Sequence, residues 1–412
     1  MNFNDNSLYN CLVNRDGERY SLFDLAIWKN GLAFKNINFS DCGVPVIKIA
    51  ELNNGIGGTT AYTNQSFQED VHLHKGDLLF SWSGNPDTSI DIFRFQLNEG
   101  WLNQHIFKVT PNEKLIDKDY FYFLMKFLKP IFTKIAKNKQ TTGLGHVTIG
   151  DIKQLNVVIP DMMNQRQIVS VLKPIDDKIT LNNAINCNLA EQICALYTRL
   201  RKEKIWSICP IGQMAEKVAM GPFGSNIKVE TFVDTGVPII SGNHLRSFLL
   251  EDSTYNFITE EHAAKLQNSI VFAKDIIFTH AGNIGQVAMI PDNCEYSKYV
   301  LSQRQFYLRC NTSLVLPEWV LMFFHSREGQ HELLSFANQT GVPSIAQPAS
   351  NLKKIEIPLP PIDTQREWLE IVSPMFSVIQ QNKRTIQKLS SLRDTLLPKL
   401  MSGEIDVSKV EL

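Results

Sequence analysis

Apolar residues recur along two stretches of the chain in alternating steps of three and four. The first ladder reads Leu172, Ile175, Ile179, Asn182, Asn186, Leu189, Ile193, Leu196, Leu200. The second lies 200 positions on and reads Val372, Met375, Ile379, Asn382, Ile386, Leu389, Arg393, Leu396, Leu400. Each is a heptad seam sustained for about four heptads. Such a stripe is narrow and has to be covered by a partner helix, so the pattern predicts two long helices, each packed on the other. Proline is tolerated in a first helical turn, whereas an interior proline costs about 3 kcal/mol or more. Helix starts are therefore expected at Pro174 and Pro374, with Ser373 capping the second and Gly403 stopping it. Asn182 and Asn382 share one seam position; they either reject misaligned pairings or are tolerated polar residues.

The remainder of the chain alternates short apolar runs with Gly, Asn and Asp breaks, which reads as strands. These runs also come in pairs. "GVPVI" (Gly43–Ile47) returns as "GVPII" (Gly236–Ile240), and "KGDLLFSWSGN" (Lys75–Asn85) as "AKDIIFTHAGN" (Ala273–Asn283). "WLNQHIFKV" (Trp101–Val109) answers "VLSQRQFYL" (Val300–Leu308), and "NKQTTG" (Asn138–Gly143) answers "ANQTG" (Ala337–Gly341). Helical segments at Tyr120–Lys137 and Glu318–Phe336 follow, then a strand, a proline-bearing turn and the ladder. Repetition in constant order is the mark of duplication. The expectation is an α+β chain: two similar mixed α/β domains (1–159 and 206–359), separated by two long antiparallel helices (160–205 and 360–412) that form a coiled coil about a pseudo-twofold axis. A ladder of this length spans ~42 Å at ~1.5 Å per residue, comparable to one turn of duplex DNA at ~34–36 Å.

These residues resemble the specificity (S) subunit of type I restriction-modification systems. The resemblance is carried by "IPLPPIDTQRE" before the second helix, its weaker twin "VIPDMMNQRQ", the "DTLLPKLMSGEIDV" end (Asp394–Val407), and the paired GVP and Gly-Asn signatures. It implies that each mixed domain is a target-recognition domain reading half of a split double-stranded DNA site. It also implies that the helices set the spacer and dock two methyltransferase subunits, and that a restriction/translocase subunit joins. No cofactor is then expected in this chain, with S-adenosylmethionine, ATP and Mg on the partner subunits. The other reading is a duplicated protein-interaction scaffold without sequence readout. The first copy departs from the proline-rich entry, which bears only on its local turn.

Composition adds little. Of 412 residues, 43% are hydrophobic and 20% charged, and the net charge is −1; an ordinary globular balance neither favours nor excludes nucleic acid. No apolar run reaches the ~18 residues of a membrane span, and the opening lacks a secretory pattern. Seven scattered cysteines without a C-x-x-C pair fit a reduced, cytoplasmic chain.

A search for chemistry returns little. There is no phosphate loop and no H-E-x-x-H site, and "GLGHVTIG" has its third glycine misplaced for a dinucleotide loop. Asp161 with Asp176, Asp177 and Lys178 imitates a nuclease pattern, but the last three lie on the seam helix. The nine histidines read as scattered, and no metal site is expected. Candidate DNA contacts are of two kinds. Lys126, Lys129, Lys134 and Lys137, with Lys139, are either a phosphate-gripping face or an ordinary solvated one. Base readers should be polar residues that differ between copies: Gln104 and His105 against Gln303 and Arg304, and Gln140 and Thr142 against Gln339 and Thr340. The plain alternative for all of these is turn and strand hydrogen bonding.

Overall fold

The computed structural model describes residues 17–140, 143–251, 254–338 and 341–407; Thr142, Gln339 and Thr340 lie outside them. The chain forms two compact units, Met1–Thr180 with Gln387–Leu412, and Leu181–Ile386.

In the first unit an antiparallel sheet has the order Ala26–Asn30, Ile106–Pro111, Leu78–Ser81, Asp91–Arg94. A second sheet runs Tyr62–Thr63, Val44–Ile47, Glu99–Leu102, His72–His74, with Val44–Ile47 and Glu99–Leu102 parallel. The second unit repeats both. Its sheets run Ala215–Met220, Gln305–Cys310, Ile276–Thr279, Val287–Met289, and Asn256–Ile258, Val237–Ile240, Tyr299–Leu301, Ile270–Val271. Val237–Ile240 again runs parallel to Tyr299–Leu301. A two-stranded ribbon joins the start and end of each copy, Glu18–Ser21 with Asn156–Ile159 and Ser207–Pro210 with Glu356–Leu359. The duplication read from sequence is therefore a duplication of strand order.

Five helices matter here: α1 (Lys118–Asn138), α2 (Met162–Glu203), α3 (Pro317–His325), α4 (Arg327–Leu334) and α5 (Ile362–Ser402). Two expectations need correction. The long helices begin twelve residues before the expected prolines, at Met162 and Ile362, and run through Pro174 and Pro374. The starts are fixed upstream. The Asp161 carboxylate accepts from Asn164 N at 2.9 Å, and the buried seam residues Ile168, Leu172, Trp368 and Val372 anchor the turns that follow. That burial offsets the backbone bond that each proline forfeits. Ser373 is consequently interior, its carbonyl accepting from Ser377 Oγ at 3.1 Å, whereas Gly403 (φ +80°) does follow the last turn. The second correction concerns Glu318–Phe336, which is two helices rather than one. Ser326 leaves the helical region (φ −80°, ψ 159°) and caps α4 through Gly329 N.

A buried glutamine secures each helix entry. Gln165 (1% exposed) accepts from Asp117 N at 2.8 Å and donates to Pro160 O at 2.9 Å. Gln365 (0%) accepts from Leu316 N at 2.8 Å and donates to Pro360 O at 2.8 Å. The Pro-x-x-x-x-Gln spacing thus places one amide between the chain that enters the long helix and the chain that enters α1 or α3.

Every ladder position is buried or half-buried. In the second unit, the C-terminal part of α2 meets the N-terminal part of α5 in opposite sense. Tyr197 lies against Trp368 with ring centroids 6.2 Å apart, and Asn382 Nδ2 donates to Asn186 Oδ1 at 2.9 Å. The seam amide thus pairs with Asn186 rather than Asn182, which is buried with its Nδ2 unsatisfied. In the first unit the start of α2 meets the end of α5. Arg393 Nη1 holds Asp176 at 3.0 Å, and Leu397, Leu400 and Met401 join Ile168 and Leu172 in the domain core. The nuclease-like pattern is thereby dissolved, because Asp161 caps a helix and Asp176 is paired to Arg393.

Candidate nucleic-acid interface

The two turns singled out from sequence occupy equivalent places. Gln104–His105 joins the strands Glu99–Leu102 and Ile106–Pro111, and Gln303–Arg304 joins Tyr299–Leu301 and Gln305–Cys310. The backbone that holds them is the same: Trp82 N donates to His105 O at 3.3 Å and His280 N to Arg304 O at 2.9 Å. A glycine passes beneath each turn. A Cβ on Gly31 would sit 2.2 Å from Asn103 O, and one on Gly221 would sit 2.0 Å from Ser302 O, so neither position admits a side chain.

The tips differ. His105 is exposed, its ring 5.6 Å from Trp82 and its Nε2 3.3 Å from Gln104 Nε2. Arg304 is exposed and makes no ion pair among the described residues. Gln303 spends its amide on the backbone, donating to Gly224 O and, at 3.4 Å, to Ile227 O. His280 Nε2 lies 3.1 Å from Gln303 O, and burial, partly countered by that contact, lowers its pKa. Trp82 and His280, which frame the tips, are not legible as partners in the sequence, because they lie 23 residues before His105 and 24 before Arg304, each just past the end of another strand. Gln140 is exposed after α1.

The lysines of α1 are mostly engaged. Lys126 Nζ reaches Asp91 Oδ1 at 2.9 Å and Lys129 Nζ reaches Asp91 Oδ2 at 2.6 Å. Lys137 pairs with Asp87 at 2.6 Å and Lys139 with Asp151 at 2.7 Å. Lys134 is exposed and has no ion pair among the described residues. Burial alone would raise the Asp91 pKa, but the two ammoniums outweigh it and hold the carboxyl below its ordinary range. Burial lowers the Lys126 pKa, against the pull of Asp91. Asp119, bonded to Arg94 and Lys173, and Asp151, bonded to Lys139 and Thr148, are likewise held low against their own burial.

A depressed folded pKa contributes stability that is present above the unfolded value and lost as pH falls through the folded one. The first unit is therefore expected to lose stability progressively below pH 3.8, the reference value of these carboxyls. Asp91→Asn should remove part of that acid dependence, read as a flatter plot of denaturation midpoint against pH. A slope unchanged in Asp91→Asn would show that the pair does not contribute.

A family model described as "Type I restriction modification DNA specificity domain" matches the chain twice, over residues 14–191 and 204–391. The chain belongs to this family. The two matches fall on the two copies of the strand order described above. Similar curated specificity proteins include the "Type I restriction enzyme MjaVIII specificity subunit" of Methanocaldococcus jannaschii, 22% identical over 384 residues, covering 89% of this chain and 87% of the relative. The "Type I restriction enzyme HindI specificity subunit" of Haemophilus influenzae is 25% identical over 127 residues, 30% of this chain and 28% of the relative. Among solved structures, the type I restriction-modification S subunit from M. genitalium superposes with a TM-score of 0.52 at 14% identity, covering 94% of this chain and 96% of that one. At that identity the likeness is one of fold. No helix among the described residues is long and apolar enough to cross a membrane.

Proposed function

We propose that this chain is the DNA sequence-specificity subunit of a type I restriction-modification complex, reading a bipartite, asymmetric site. One observation supports this most: two copies of a single scaffold present the same turn with different tips, Gln104–His105 and Gln303–Arg304. Like scaffolds suit like tasks, and unlike tips suit unlike half-sites. Arginine forms a bidentate pair with guanine in the major groove, and glutamine does so with adenine. Lys134 would then contact the DNA backbone, which adds affinity without sequence information, and Gln140 stands with the candidate base readers. The paired helices hold the half-sites at a set separation, and the seam ion pair and asparagine pair fix their register.

In this reading the chain is not itself an enzyme. Two methyltransferase subunits using S-adenosylmethionine carry the modification, and a restriction/translocase subunit using ATP and Mg carries cleavage. The work is done in the cytoplasm, where the host DNA lies.

The test is selection from randomised duplex by the chain assembled with its methyltransferase partners. Arg304→Ala should lose preference at one base of one half-site by about 1–3 kcal/mol, roughly five- to 150-fold, and leave the other half-site as it was. Unchanged selection by the variant removes Arg304 from the readers. No sequence preference in the unmodified assembly overturns the whole reading in favour of a protein-interaction scaffold.

A further inference from the structure

Two of the nine histidines are not scattered. The segment Glu69–His74 reads Glu-Asp-Val-His-Leu-His. It folds as a 3-10 turn, Glu69–Val71, running into the strand His72–His74. Residues two apart on a strand share a face: Leu73 points into the core, and His72 and His74 stand together on the other side with ring centroids 4.6 Å apart. The preceding turn brings Glu69 over them. One ligand atom from each of Glu69, His72 and His74 lies within 4.8 Å of the other two.

The separations are informative. His72 Nδ1 is 3.6 Å from Glu69 Oε2, and His74 Nε2 is 3.9 Å from Glu69 Oε1. Hydrogen bonds would close to about 2.7–3.2 Å. Ligands at ~2.0–2.2 Å around a tetrahedral zinc stand ~3.4 Å apart, nearer to what is found.

The surroundings also fit. The His72 ring stacks on Trp101 at 4.5 Å and 22°, which fixes its plane. Its other nitrogen, Nε2, is buried without a hydrogen bond and faces Glu99 Oε2 at 3.5 Å. A carboxylate behind a ligating imidazole orients the ring and strengthens it as a donor. One neighbouring cation, Lys108, is neutralised by Asp77 at 2.8 Å while its ammonium donates to His72 O at 2.8 Å. Lys29 is likewise bound to Asp70. The second copy carries no such trio among the described residues.

We propose that Glu69, His72 and His74 bind a divalent transition-metal ion of the zinc class, with Glu99 positioning His72. Imidazole nitrogen with one carboxylate oxygen is a donor set suited to zinc, copper and nickel. The ion ties the turn to an edge strand, and that strand pairs with Glu99–Leu102, which leads directly into Gln104–His105. It therefore braces one recognition turn and not its twin.

The test is calorimetric titration of the full chain with Zn²⁺, beside His74→Ala and Glu99→Gln. His74 is exposed, so its loss spares the core, and melting in metal-free buffer should match the parent. His74→Ala should weaken zinc binding by at least about tenfold, and Glu99→Gln by about tenfold. Zinc should raise the melting temperature of the parent but not of His74→Ala. The free cysteines are rival ligands; Co²⁺ separates them, because nitrogen and oxygen ligation gives visible d–d bands without a thiolate charge-transfer band. Overlaid titrations of parent and His74→Ala, or a cobalt spectrum dominated by thiolate in both, overturn the proposal. DNA selection is not needed for this readout, so its failure and that of the specificity reading are told apart.

Discussion

Arg309→Ala should cost the second unit about 3–5 kcal/mol, because it strands a charge in the core. Asp275 is 1% exposed. Arg309 grips it with both arms, Nε to Oδ1 at 2.8 Å and Nη2 to Oδ2 at 2.6 Å, while Phe272 N donates to Oδ2 at 2.8 Å. The guanidinium also lies over Phe272, 5.1 Å from the ring centroid, so truncation forfeits packing as well as charge. Burial raises the Asp275 pKa even with Arg309 in place. A carboxyl raised by folding favours the protonated form, so its contribution is full below the unfolded value of 3.8 and falls as pH rises through the folded one. Removing the cation raises the folded value further. The deficit of Arg309→Ala should therefore be largest near neutral pH and shrink on acidification, as measured by urea denaturation. A cost below 1 kcal/mol at neutral pH, roughly that of an exposed pair, would refute this account. The first copy offers a contrast. Its matching aspartate, Asp77, also accepts a backbone N–H three residues back, from His74 at 2.8 Å, but pairs with Lys108 and is 23% exposed. Lys108→Ala should cost the first unit less.

The second large effect is expected at the glutamines. Gln165→Leu leaves Asp117 N and Pro160 O without their partner, and Gln365→Leu does the same to Leu316 N and Pro360 O. A buried polar group left unpaired costs about 1–3 kcal/mol, and two are orphaned in each variant. Because one glutamine serves each unit, the two losses should add in the double variant. Denaturation midpoints within about 0.5 kcal/mol of the parent, the range of ordinary surface substitutions, would show that these amides are dispensable.

These residues also show what a sequence discloses. The repeated Pro-x-x-x-x-Gln was visible at once, but its purpose was not, since Asp117 lies 48 positions from Gln165. The seam was legible because a 3.5-residue period needs only local counting. The helix starts are not legible in the sequence because the cost of Pro174 is local, whereas what outweighs it, the burial of Leu172 in a core that Leu400 also joins, depends on residues more than 200 positions away. The lysine run on α1 looked like a solvated or phosphate-binding face. Its counter-charge, Asp91, sits 35 residues before Lys126 on a sheet strand. Glu69, His72 and His74 form a cluster only when the short stretch is known to be turn and strand; as bare letters, their spacing of three and two fits no single period.

The first unit draws its core from stretches far apart in sequence: Leu397, Leu400, Met401 and Val407 share one cluster with Leu22, Tyr120 and Leu172, while Leu181–Ile386 is one unbroken stretch. On the ribosome, domains usually mature from the amino end onward. Here the order inverts. The later segment has all its pieces first, and the earlier one must wait, with an apolar flank uncovered, until the final turns of α5 leave the exit tunnel.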